Sequence, residues 1–415
     1  MMRLSELPPP RQPRQTGNAT GVALVGALFM AVTAPAAAED FGITGYVEPE
    51  LQYFIENGSL PGQERENLSV AAEVKLEYFW DEGDQWVVFK PFGRLDWRDG
   101  NRTHVDIREL KYARVEGDWE FRVGLDKVFW GVTEAAHLVD IINQDDFIES
   151  IDGEEKLGQP MLMVSTTQPA GTFDFYLLPY FRERTFASAD GRPAADIPID
   201  EDQTFYESSD GRKHLDFALR YSNTFDEWDV GLAFFQGTAR DPLLVPGLNA
   251  NAEPVLIPFY PQIRQVSVDV QATLGAWLYK FEGFWRRELN EEYINATGGI
   301  EYTFYGVLNT PGDIGIVAEY IFDDRGANPA NPFANDAFAG LRWTANDTAS
   351  TSLLAGGIID LDTQATSFAI EAEKRLGDDY LISLESRFFF NVPISDRLHS
   401  ISDDDFLQLR VARYF

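Results

Sequence analysis

Charged residues recur in this chain at separations of two or four, inside segments whose intervening residues are apolar. Glu48 and Glu50, Glu73 and Glu77, and Lys90 and Arg94 are such pairs. Arg122, Arg220, Arg387 and Arg410 sit in the same kind of setting, as do Lys280, Arg286, Arg342, Glu282, Glu301, Glu319, Glu371, Glu373 and Glu385. Side chains two apart share one face of a β-strand, so each segment offers a charged face and an apolar one. Charges ranked along a wetted wall act on whatever passes: rings of charged side chains set ion preference. Acids on the first segments beside bases on the next ones would make a transverse field that orients dipolar solutes. A second concentration lies in 130–160, where Glu134, Asp140, Asp145, Asp146, Glu149, Asp152, Glu154 and Glu155 face one base, Lys156. The same stretch holds Leu138, Val139, Ile141, Ile142, Phe147, Ile148 and Ile151, too many apolar groups for a loop in free water. It is expected to pack as a constriction, with its acids favouring cations, and 133–151 reads as helical.

The elements that must position these groups are strands. Val70, Ala72, Val74, Leu76, Tyr78 and Trp80 alternate with polar or small residues, and similar alternation recurs to the end of the chain. Eighteen candidate strands start near 43, 68, 86, 103, 119, 161, 173, 214, 228, 263, 277, 293, 314, 336, 351, 367, 380 and 405. Connections after even strands are short, whereas those after odd strands are often long, as at 56–67, 130–160, 182–213, 237–262 and 392–404. Short turns at one end, long loops at the other and an even strand number describe a bacterial transmembrane barrel. Sixteen strands is the alternative, because the patterns near 103 and 161 are weakest. The nine Trp fall near strand ends, where interfacial girdles form. Val47, Leu51, Tyr53, Val74, Leu76, Phe121, Val123, Phe175 and Leu177 would face lipid.

Arg3, Arg11 and Arg14 precede an apolar run from Gly21 to Val32, and Ala36 to Ala38 close it. This is the plan of a secretory signal over 1–38 with cleavage near Ala38. Three Arg and one Glu leave with it, so 31 basic and 66 acidic groups remain. Such acidity excludes nucleic acid as a partner. The absence of cysteine excludes a disulfide scaffold and thiolate chemistry. An aromatic content of 13% argues for an ordered fold. The fold class expected is all-β: a transmembrane antiparallel barrel over 39–415. Within a bilayer every backbone N–H and C=O needs a protein partner, and only closure of the sheet supplies all of them.

Ile107 to Arg114, Trp119 to Gly124, Trp130-Gly131 and Asp140 to Asp146 resemble a pattern found in uncharacterised proteobacterial porin-like barrels. In those, a strand with REAY leads to RLGRQ, then WG, then D-x-x-N-P-x-D. Here Asp126-Lys127 replaces Arg-Gln, and Gln144 replaces Pro. More distantly, the strand number is similar to that of alginate-export and sugar-specific porins, although no run of inward aromatics forms a sugar slide. The last strand, Asp405 to Phe415, resembles the C-terminal signal read by the barrel-assembly machinery, which favours a terminal Phe. The resemblance implies residence in the bacterial outer membrane among lipid and lipopolysaccharide, whose phosphates divalent cations could bridge to the acidic loops. Homo-oligomers are possible, and no cofactor is expected. The function expected is passive or facilitated diffusion of small polar or cationic solutes. The alternatives are an adhesin or envelope-anchoring barrel with a blocked lumen, and a barrel-borne hydrolase. His104, His137, His214 and His399 lack a recognisable nucleophile beside them, and Asp403 to Asp405 lack the spacing of a calcium loop.

Overall fold

In the computed structural model, residues 41–326 and 333–415 are described. The expected signal segment lies outside them. Alternation becomes strand wherever Gly, Asp and Asn mark the ends. Five strands open the chain: β1 (Phe41–Phe54), β2 (Glu66–Trp80), β3 (Gln85–Asp96), β4 (His104–Glu116) and β5 (Trp119–Asp126). After a long loop come β6 (Gln159–Gln168), β7 (Gly171–Leu178), the two-residue β8 (Phe205–Tyr206), β9 (Asp216–Phe225) and β10 (Trp228–Thr238). Next are β11 (Leu243–Leu248), β12 (Pro254–Tyr260), β13 (Gln262–Leu274), β14 (Trp277–Glu288), β15 (Glu291–Phe304) and β16 (Asp313–Asp323). The chain finishes with β17 (Asn335–Thr344), β18 (Ser352–Asp360), β19 (Thr366–Leu376), β20 (Tyr380–Phe390) and β21 (Phe406–Tyr414).

Eighteen of these strands form one antiparallel sheet, which closes when β1 pairs with β21. Eighteen is therefore the strand number, and the alternative of sixteen falls. Each barrel strand begins within two residues of the position read from the alternation. The seam is tight. Gly45 and Phe415 exchange both backbone hydrogen bonds, at 3.1 and 3.0 Å. A Cβ on Gly45 would fall 2.7 Å from Cζ of the Phe415 ring, so only glycine admits the terminal aromatic there. β8, β11 and β12 form a separate small sheet within the long loops 179–215 and 239–261. That sheet was not anticipated, because Pro246, Pro254 and Pro258 read as strand breakers.

The outer face carries the apolar residues. Of the expected lipid-facing set, Val47, Leu51, Tyr53, Phe121, Val123 and Phe175 are exposed, whereas Val74, Leu76 and Leu177 are half-buried. At the short-turn end the rings form a girdle. Trp80 stacks between Tyr78 (5.5 Å) and Tyr112 (5.9 Å), and Trp277 meets Tyr302 at 4.6 Å.

One irregularity matters for the interior. Pro91 has no N–H for the ladder, and the β3–β4 register slips there. Lys90 pairs with Glu109 and Pro91 with Ile107, which leaves Arg108 as an extra, bulged residue. Arg108 and Ala113 are both buried while Leu110 is exposed, so the inward parity changes within β4. This accounts for the weak alternation of that strand.

Candidate channel constriction

Residues 127–158 leave β5 and re-enter at β6. Asn143 closes the neck: its side chain accepts the Val128 N–H (2.9 Å) and donates to the carbonyls of Asp126 (2.8 Å) and Leu157 (2.9 Å). No helix forms over 133–151, against expectation. Asp and Asn side chains compete for the backbone here. Asp140, for example, accepts the N–H groups of Trp130 (2.6 Å) and Gly131 (2.9 Å). The apolar residues serve different walls instead of a single helical face.

The first half of the loop packs by burial. Val139, Ile141 and Ile142 are at most 2% exposed, against an inner wall that includes Met163, Tyr176, Phe235 and Ile263. Trp130, expected at an interface, lies inside the barrel. Its ring meets Tyr176 edge-on at 5.8 Å, with the Arg220 guanidinium 4.9 Å above it. Beyond this cluster the chain crosses the lumen. Glu282 on β14 accepts the N–H groups of Val132 (2.5 Å) and Thr133 (2.8 Å) and the Thr133 hydroxyl (2.8 Å). Glu319 on β16 accepts those of Glu134 (2.9 Å) and Ala135 (2.8 Å). Glu134 itself pairs with Arg342 on β17 at 2.5 Å and with Lys280 at 3.5 Å.

The second half is held by charge. Arg94 binds Glu149 at 2.8 Å and Glu50 at 3.2 Å. Arg102 binds Glu50 at 2.6 Å and donates to the Ile148 carbonyl at 2.7 Å. Arg108 binds Glu155 at 2.7 Å and stands 3.7 Å from Asp146. Asp152 reaches Arg387 on β20 at 2.8 Å. Asp145 pairs with Lys156 and, at 2.8 Å, with Arg184 from the neighbouring loop. Burial, and then the adjacent Glu149, push the Asp146 carboxyl up to about 7. Burial also acts to raise Glu155, but Arg108 and Lys127 hold it below the usual carboxylate range. His137 resists burial through its hydrogen bond to Glu154, at 2.9 Å, and is raised to about 9.

Glu48, Glu50, Glu73, Glu77, Lys90, Arg94, Arg122, Arg220, Arg387 and Arg410 all lie on strand faces turned to the interior. The acidic and basic walls do not stand apart, however. Lys90 pairs with Glu73 (3.2 Å), Arg410 with Glu385 (3.0 Å) and Arg220 with Asp269 (2.7 Å), so much of a transverse field cancels. Several charged side chains keep contact with water: Glu154 is 65% exposed, Glu371 on β19 45% and Arg342 on β17 36%, while Glu155, paired with Arg108 of β4, keeps 46%. Glu371 lies within electrostatic range of both Asp152 and Glu154. Among the described residues no cluster of His, Asp and Glu is placed to hold a metal ion.

Arg102, Arg184 and Arg240 were missed, because they sit in loops where parity has no meaning. Arg240 donates twice to the Ile142 carbonyl, at 3.0 and 2.9 Å. Arg108 left a weak trace: Arg108-Glu109 puts two adjacent charges inside a strand, although Arg286-Arg287 does the same in β14 without any break of register.

The chain matches no protein-family model, and no curated protein matches it in sequence. Its fold is similar to that of solved structures. OccD3 (OpdP) of Pseudomonas aeruginosa has a TM-score of 0.54 at 11% identity, with 91% of each chain covered. OccK5 (OpdH) of the same organism has a TM-score of 0.51 at 10% identity, covering 91% of this chain and 98% of that one. A triple mutant of Rh. blastica porin has a TM-score of 0.45 at 11% identity, covering 90% and 100%. The architecture is a porin-like transmembrane β-barrel.

Proposed function

We propose that this chain is a passive channel of the bacterial outer membrane, which lets small polar or cationic solutes diffuse through the gap between loop 127–158 and the wall of β17 to β20. The observation that supports this reading is that Glu154 and Glu371 keep 65% and 45% of their side chains exposed and lie within electrostatic range of one another. Most of the loop's other acids are held by Arg or Lys. Cation preference is therefore assigned to exposed acids such as these rather than to the loop's total charge. On this reading the short-turn end, where β1 begins and β21 finishes, faces the periplasm, and β21 is the strand offered to the barrel-assembly machinery. Lipid and lipopolysaccharide surround it, and a homo-oligomer is compatible with the apolar outer face.

Planar-bilayer recording tests the proposal. The wild-type barrel is expected to give conductance steps with a cation-selective reversal potential. Glu154→Gln with Glu371→Gln should move that potential toward zero while leaving the steps in place. A barrel that folds and inserts yet gives no steps is blocked, and the adhesin reading would replace this one.

A further inference from the structure

Below the loop, on the short-turn side, lies a cavity of about 560 Å³, large enough for a solute of amino-acid size. Its lining has an odd feature for a watery lumen: Phe129 borders the space with 55% of its surface exposed, beside the edge-packed Trp130 and Tyr176. An exposed ring at an interior cavity is a platform for a partner that is absent from the bare chain.

The charges around it are unequal in their engagement. Each base that lines the cavity has a carboxylate. Arg220 forks onto Asp269 at 2.7 and 2.8 Å, Arg122 binds Glu120 at 2.6 Å, and Lys127 stands 3.6 Å from Glu155. Two lining acids form no direct ion pair, although Asp174 sits opposite Arg220 across β7 and β9 and lies in the field of Arg220 and Arg122. Asp174 accepts the Ser165 hydroxyl at 2.5 Å and Asp229 the Thr224 hydroxyl at 2.6 Å, and among the described residues neither forms an ion pair. Carboxylates outside a direct ion pair, lining the same cavity as an exposed aromatic ring, attract an ammonium group through charge-assisted hydrogen bonds and the ring quadrupole together. Free carboxylates would repel an anion.

We propose that this cavity is a binding subsite for solutes that carry an ammonium group on an apolar, preferably aromatic, body. The inference rests on the channel reading for its physiological role, and it narrows the cationic solutes to amphiphilic amines. The site lies past the gap, so a solute would dwell there on its way to the short-turn end.

Titration calorimetry on the detergent-folded barrel tests it without requiring conduction, with phenethylammonium as probe and ethylammonium and benzoate as contrasts. Saturable binding of phenethylammonium is expected, much weaker binding of ethylammonium and none of benzoate. Phe129→Ala should weaken phenethylammonium about fivefold, the loss of one ring–cation contact. Asp174→Asn with Asp229→Asn should weaken it about tenfold, the loss of the charge-assisted contacts. Heat-modifiable gel mobility shows that each variant still folds. Equal binding by the variants, benzoate binding as tightly, or no saturable binding by the folded wild type would each overturn the proposal. A barrel that binds the amine but passes no ions would sink the channel reading and leave the site standing; a conducting barrel that binds nothing would do the reverse.

Discussion

The two halves of loop 127–158 are docked by different physics. Residues 130–142 bury Val139, Ile141 and Ile142 against Met163, Tyr176 and Phe235, a small apolar core inside the barrel. Residues 144–156 bury little apolar surface of that kind and hang on arginines from β3, β4, β20 and the loops. Burial is non-directional and indifferent to salt and pH. Ion pairs with one partner in water respond to both. The first half, anchored mainly by burial with ion pairs at Glu134 and His137 added, should therefore respond less to conditions than the second, which hangs on charge.

The largest effect should come from Arg94. It serves Glu50 and Glu149 together and is itself almost fully buried. Arg94→Ala leaves Glu149 without its bidentate partner, and removing one member of a buried pair costs about 3–5 kcal/mol. Hydrogen exchange over 144–156 should accelerate sharply, while 130–142 stays protected. Uniform acceleration across both halves would show that they are a single unit. Ile142→Ala should act on the other half. Loss of a buried Ile side chain costs about 2–5 kcal/mol, and exchange over 130–142 should rise by the same amount in 0.1 M and 1 M salt. A salt-dependent difference there would contradict an apolar anchor.

Strand starts were legible to within two residues because period-two alternation and Gly, Asp or Asn turns are local signals. Ser69 to Trp80 needs no knowledge of its partners to read as a strand. The loop was legible only in part. Its apolar content announced that it packs, but Ile141 and Ile142 carry no sign of Phe235, nearly a hundred residues away. Likewise, nothing near Glu149 names Arg94, and nothing near Ile142 names Arg240. Long-range pairing also turned an apparent acidic field into a set of anchors: the eight acids were countable, and their partners were not. Arg108 is the intermediate case, where the break in alternation was visible and its cause, the bulge opposite Pro91, was not.

The gentlest test of the contrast is pH. Asp146 is buried in the second half, faced by Glu149 and Glu155 of its own loop and by Asp106 and Arg108 of β4. With its carboxyl raised to about 7 from an ordinary 3.8, the docked loop prefers the protonated form. Its contribution is fully present below the ordinary value and is lost as pH rises through about 7. Glu155, held low by Arg108 and Lys127, works the other way: its contribution is present above the usual carboxylate range and disappears only on acidification. His137, raised to about 9, contributes below its ordinary 6.5 and is lost through about 9. Of Asp146, Glu155 and His137, Asp146 is the one that titrates between pH 5 and 7, so the second half should loosen on going from acid to neutral, by at most about 1.4 kcal/mol per pH unit from this group. A nitroxide on Ser150→Cys should report growing mobility over that range, and a label within 130–142 should not. Asp146→Asn stays neutral at every pH and should flatten the response. A slope that survives in Asp146→Asn would assign the loosening to another group, and a wild-type response in the opposite direction would mean that Glu155 dominates.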